Sequence, residues 1–199
     1  MKFVVYETTA NAAEPILGLL TSRGVVPVGD VVAGDSAQEA LEHLIDGYEE
    51  FRPRLESLGA EASPTALNSL RLLAPVPMPG KILCTTAVYA NAAAAERQQL
   101  LMTLKSAESV IGPGETIRLP EVGDAWQFVP QAALGLVLRG PANRVSAAAW
   151  RSAVFGYTCA VDVMARGDQQ FGRDFSRHPQ FARESSLAPR PHLLIRRPS

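Results

Sequence analysis

The chain has 199 residues, 47% apolar and 20% charged, with a formal net charge of −1, a composition that buries a real core and excludes intrinsic disorder. Residues 1–72 hold 5 Lys+Arg against 11 Asp+Glu and residues 73–199 hold 14 against 9, or −6 and +5; the second excess is too mild to argue for nucleic acid, and Arg190, Arg196 and Arg197 lack the interleaved aromatics of a stacking platform. No apolar run reaches the ~18 residues of a membrane span, and the first residues carry no basic and then apolar leader, so a cytoplasmic location away from membranes is expected.

In chain order, KFVVYET is apolar and β-branched and predicts a strand. ILGLLTSRGVVPVGDVV predicts two more, joined at Ser22-Arg23-Gly24. Ser36 followed by Glu39 has the form of a capping box, and Ala37, Ala40, Leu41, Leu44, Ile45 and Tyr48 recur on one helical face. Pro53 is expected to end or restart that helix, because its ring removes an amide donor and crowds the preceding turn, and Gly59 to close the second half. LLAPVPMPGK, with Pro75, Pro77 and Pro79, continues neither a helix nor a central strand and marks a domain boundary near residue 72.

Beyond it, KILCTTAVY, SVIGPGETIRL, AALGLVLRG and SAVFGYTCAVDVM read as short strands, and ANAAAAERQQLLMTL and SAAAWRSAV as helices, the second capped by Ser146. The expected organisation is a small N-terminal domain of strands, hairpin and helix over 1–72 and an α+β, mainly β domain over 73–199. Cys84 and Cys159 lie in apolar strand-like runs, where a free thiol acts as a small buried hydrophobe. Neither they nor the scattered His43, His178 and His192 have zinc spacing, and His43 reads as a surface residue.

Four of these segments have an order and spacing that point further. LLAPVPMPGKILC, SAESVIGPGETIRLP, AALGLVLRG and FGYTCAVDVMARGDQQ resemble the consecutive signature segments of the fumarylacetoacetate hydrolase family, over roughly residues 73–170. The resemblance implies a mixed β-sandwich roll with a small N-terminal α/β domain. It further implies a divalent cation, usually magnesium, held by three carboxylates against a β-dicarbonyl or 2-oxo acid, and a His-Glu pair that moves the proton or water. A hard cation with oxygen ligands stabilises the enolate of such chemistry.

Carried over residue by residue, the resemblance implies that little of this machinery remains. The glutamates of the family's E-x-E-L segment fall on Gln131 and Ala133, and the third ligand position is Asp162. The N-Y-x-x-H-x-x-E pattern keeps Tyr89 but puts Ala92 and Ala95 at its His and Glu. Lys105 matches the lysine of F-x-K, and Arg166 and Gln169 match A-R-x-x-Q. Loss of a positioned base costs ~10²–10⁴ in rate. No cofactor is therefore expected beyond weak magnesium at Asp162.

Lys105, Asp162 and Arg166 are the candidate catalytic residues, with Tyr89, Ala92, Gln131, Ala133 and Gln169 lining a ligand. The two cations either hold a carboxylate or enolate or brace loops against Asp162 and Asp168. The implied function is a metal-independent isomerase, cyclase or lyase acting on a β-dicarbonyl, 2-oxo acid or polyketide-like small molecule. The alternatives are a non-catalytic ligand-binding protein or subunit of an active homologue, and a metal-dependent C–C hydrolase with ligands from a partner chain. Relatives continue with more strands where SSLAPRPHLLIRRPS is a faint echo, so a homodimer or a second chain is expected to cover the open sheet edges.

Overall fold

Five consecutive residues, Phe3 to Glu7, are buried in strand β1 (Lys2–Thr8), and a strand buried on both faces must lie inside its sheet. The computed structural model describes residues 1–8, 11–85, 102–119, 127–166, 187–188 and 195–196, and in it β1 is central. β2 (Asn11–Thr21) pairs antiparallel with β1 and turns into β3 (Gly24–Pro27), as the sequence predicts. Gly24 closes that turn at φ +143, and a Cβ there would lie 2.3 Å from the Thr65 carbonyl oxygen, so only glycine fits. β4 (Leu70–Leu72) pairs with the far end of β1. There the Arg71 guanidinium joins the buried Glu7 opposite it to Glu115, each at 2.9 Å.

One face of β1, with Phe3 and Val5, packs beneath helix α1 (Ala37–Glu61) through the expected stripe of Ala37, Ala40, Leu41, Leu44, Ile45 and Tyr48, extended by Leu55. The Ser36 hydroxyl accepts the Glu39 amide at 3.1 Å, while the Glu39 carboxylate accepts from Asp35 at 2.7 Å, so the capping box reaches one residue further back. Pro53 and Gly59 do not divide or close this helix, contrary to expectation. The break is at Gly47 (φ −100, ψ 15), and α1 runs through both residues to Glu61. Pro53 lies on the exposed side of α1, and the chain bends instead at Gly47, where no Cβ resists. Arg23 donates to the Gly59 and Ala60 carbonyls at 3.2 and 3.0 Å, so the helix end is held by a cation from the hairpin turn.

After residue 72 the chain forms a two-stranded ribbon, β5 (Ile82–Thr85) with β6 (Met102–Lys105), and a long antiparallel pair, β7 (Gln127–Leu138) with β8 (Val154–Arg166). β6 uses the end of the run expected to be helical; the rest of that run lies outside the described residues. SVIGPGETIRL makes no strand: a 3-10 turn over Ala107–Ser109 leads into a bend with Gly114 at φ +82. The SAAAWRSAV segment is a 3-10 helix over Ala147–Ala153, and the Ser146 side chain makes no cap bond. Residues 141–152 are all exposed, so no burial rewards an α-helix there.

β9 (Leu187–Ala188) adds to β8, and β10 (Ile195–Arg196) joins β1 to β8. The resulting eight-stranded sheet has the order β3-β2-β1-β10-β8-β7, with β4 on β1 and β9 on β8. Among the described residues the protein is thus mainly β with one long helix, and none of their helices is long and apolar enough to cross a membrane. Phe155 of β8 is fully buried against Phe3 and Tyr48, with ring centroids 6.3 and 5.6 Å away. Phe155→Ala should therefore lower the unfolding free energy by ~3–5 kcal/mol, read as a reduced urea midpoint; a loss under ~1 kcal/mol would show that β8 does not anchor this core.

Candidate active site

Alternation sets the site. In the β5–β6 ribbon, Ile82, Cys84, Thr103 and Lys105 form the half-buried row, and Leu83, Met102 and Leu104 point outward. In the β7–β8 pair, Gln131 is opposite Asp162, Ala133 opposite Ala160 and Gly135 opposite Thr158, all on one face. The two rows meet where the Lys105 ammonium forms an ion pair with Asp162 Oδ1 and donates to the Val163 carbonyl at 3.2 Å. Both side chains are about nine-tenths buried, at 10% and 11% exposure, and Oδ1 has no partner apart from that ammonium.

Cys84 completes the cluster. Burial pushes its thiol up to about 11, the Asp162 carboxylate pushes the same way, and the Lys105 charge opposes them. At neutral pH it is a thiol and not a thiolate nucleophile. The sequence reading made Cys84 a plain buried hydrophobe; it is half-buried beside two charges, while Cys159 is exposed, correcting the same expectation for that residue. The signal that would have found Cys84 is strand parity, since it shares the face of Lys105 once β5 and β6 are paired.

Of the residues singled out from sequence, Lys105 and Asp162 are in contact, and Gln131 and Ala133 lie on the same half-buried face. Arg166 ends β8 opposite Gln127, at the same strand parity as Asp162. Tyr89, Ala92 and Gln169, with Ala95 and Asp168, lie outside the described residues. His43 is exposed and its ring nitrogen bonds the Ala33 carbonyl at 2.7 Å.

These residues do not fit a divalent cation. A magnesium or manganese site needs several anionic oxygens, and here one carboxylate is already neutralised by an ammonium, the residue opposite is an amide, and Ala133 has no donor. Among the described residues no group of three His, Cys, Asp or Glu is placed to hold a metal. An ion at Asp162 would have to displace Lys105 or sit against its positive charge.

The chain shares its mainly β fold with solved enzymes. It superposes with a TM-score of 0.75 on maleylpyruvate hydrolase from Sphingobium sp. SYK-6 in complex with manganese(II) and pyruvate, at 23% identity, covering 99% of this chain and 67% of that one. It superposes with a TM-score of 0.70 on a fumarylacetoacetate hydrolase from Exiguobacterium antarcticum, at 24% identity, covering 98% and 66%. Residues 81–189 match the profile described as fumarylacetoacetate (FAA) hydrolase C-terminal, and the chain belongs to the fumarylacetoacetate hydrolase family. It is also similar to a mitochondrial oxaloacetate tautomerase of Xenopus laevis, 24% identical over 175 residues, covering 83% of this chain. The chain spans about half the length of that curated relative, 53%.

The raised Cys84 titration has a measurable consequence. A thiol held above its ordinary value of 9.0 binds its proton more tightly in the folded state. Its contribution to stability is complete below pH 9 and is lost as the pH climbs to about 11. The melting temperature should fall more steeply across that window in the native chain than in Cys84→Ala; parallel curves would show that the Cys84 thiol is not held above its ordinary value.

Proposed function

We propose that this chain is an isomerase- or lyase-type enzyme acting on a small 2-oxo acid or β-dicarbonyl through its enolate, without a divalent cation. The observation that carries the reading is the Lys105 ammonium seated on Asp162, the one family ligand position that remains. Its relatives' chemistry agrees in kind: one is an oxaloacetate tautomerase, and a solved one holds pyruvate.

The simplest reaction consistent with these groups is a proton shift. The substrate's 2-oxo oxygen takes a hydrogen bond from Lys105, partly replacing Asp162. The freed Asp162 carboxylate takes the proton from C3, the C3–H electron pair becomes the C2=C3 bond, and the negative charge moves to the oxygen, where Lys105 stabilises it. Return of the proton from Asp162 to that oxygen gives the enol and restores both residues. Gln131 and Ala133 flank the same face, the amide offering a neutral donor where the family has a charge.

A second reading has one observation in its favour: an ion pair so deeply buried is also what a bracing contact between the ribbon and β8 would look like. The two separate experimentally. EDTA-treated protein should accelerate keto–enol exchange of oxaloacetate at a rate unaffected by added magnesium or manganese. Lys105→Met should reduce kcat/KM by ~10²–10³, and should also destabilise the fold by ~3–5 kcal/mol because Asp162 is left buried and unpaired. The double variant Lys105→Met/Asp162→Leu, with no buried charge, should regain most of that stability and remain inactive. Activity that appears only with added cation, or an active double variant, would refute the proposal; a folded native chain without turnover would favour the bracing role.

A further inference from the structure

The β5–β6 ribbon carries Lys105, yet among the described residues it pairs with no other strand, and a two-stranded ribbon is marginally stable by itself. Whatever aims the ammonium at Asp162 must therefore act through the ends of the ribbon. Lys105 pairs with Ile82 at its base, where the chain enters and leaves, and Thr85 pairs with Met102 at the opposite end. The entering and leaving segments touch: a Cβ on Gly112 would lie 3.2 Å from Leu73 Cα and 3.3 Å from the Ala74 nitrogen. Between Lys105 and that crossing, the chain is stiffened by buried Ser109, whose hydroxyl donates to the Ser106 carbonyl at 2.6 Å.

We propose that Glu115 is a positioning residue: bound to Arg71, it closes the base of the ribbon and so fixes where Lys105 stands against Asp162. Arg71 lies on β4 just ahead of the entering segment, and Glu115 follows Gly112 on the leaving one, so their 2.9 Å contact ties the two together beside the crossing. The other amino group of the guanidinium donates to Glu7 on the central strand β1, also at 2.9 Å. One planar cation holding two carboxylates thus refers the ribbon to the middle of the main sheet. The two carboxylates differ in what they need. Glu7, with a side chain 11% exposed, needs Arg71 for its own counter-charge. Glu115 is 35% exposed, and water would solvate it well without Arg71. Its pairing therefore adds little to global stability, but applied at the base of a ribbon it changes how often Lys105 parts from Asp162. The inference takes that ion pair as its target and rests on the proposed function only for the consequence in turnover.

The chain has three lysines, Lys2, Lys81 and Lys105, and the first two are exposed. Acetylation of the native chain with acetic anhydride at fixed pH, mapped by mass spectrometry, should therefore label Lys105 more slowly than Lys2 and Lys81. Glu115→Ala should raise the Lys105 rate relative to those two by about three- to fivefold, the range that loss of one partly exposed ion pair allows. The melting temperature should stay within ~4 °C of native. Glu115→Gln keeps the shape and one acceptor without the charge and should fall between. Glu56→Ala, which removes a pair of the same length with Arg52 on α1, should leave the ratio unchanged. A Lys105 ratio that ignores Glu115, one that rises equally in Glu56→Ala, or one that rises only as the whole chain loses stability overturns the proposal. Should Glu115→Ala fail to fold, Glu115→Gln decides by the same ratio. Turnover is read separately: a native chain without keto–enol activity sinks the chemistry proposed above and leaves the labelling ratio to decide the role of Glu115.

Discussion

The ion pair between Lys105 and Asp162 is the constraint on which the site depends. Two opposite charges about nine-tenths out of water stabilise little as a pair, because their attraction mostly offsets the desolvation of both, but either one alone in that position is costly. The β5–β6 ribbon and β8 are therefore held in one relation: any shift that parts the two charges leaves each without its counter-charge. The pair also fixes what surrounds it. Burial keeps Cys84 protonated and the same carboxylate acts in that direction, and the Val163 carbonyl takes another of the ammonium's hydrogens.

That arrangement needs a β8 that does not slip, and the sheet provides it twice over. Along β7, twelve residues pair with β8, and a register error of one would turn Asp162 and Gln131 outward and bring Leu134 and Leu136 inward. Near its start, β8 puts Phe155 into the core shared with β1 and α1, seven residues along the strand from Asp162 and on the far side of residue 72 in sequence from Phe3 and Tyr48. The central sheet and the site are thus coupled through one strand, whose first residues supply packing and whose later ones supply chemistry.

Local signals in the sequence were legible where local physics decides the outcome. The Ser22-Arg23-Gly24 turn, the Ser36 cap and the apolar stripe from Ala37 to Tyr48 all form, because each depends on neighbours within a few residues. The misreadings have a common cause. Pro53 is tolerated on the exposed side of α1, β6 replaces a helix end because a strand partner was available, and Ala147–Ala153 tightens to a 3-10 helix where no described residue covers it. Each outcome is set by a distant surface. At the site, family spacing led to Asp162 and Lys105 and left their pairing as one of two alternatives, and Cys84 was missed because a cysteine in an apolar run reads the same whether a carboxylate lies beside it or not. Strand pairing relies on backbone bonds and alternation, which the sequence pattern carries, whereas a site relies on particular side chains brought together from distant strands.

An ammonium is not a general substitute for a divalent cation, and the difference bears on which reaction the proposed site suits. A metal ion can lower the pKa of a bound water enough to make hydroxide at neutral pH, which hydrolysis of a C–C bond in a diketone requires. A lysine cannot. What one ammonium can do is hold one developing oxyanion, and what one adjacent carboxylate can do is carry one proton between carbon and oxygen. A keto–enol shift asks for those two services and no water. Gln131 and Ala133 are uncharged and put no negative charge of their own beside the enolate, which the single positive charge of Lys105 would otherwise have to overcome. They therefore leave an electrostatic balance suited to the extra negative charge that enolate formation places on oxygen.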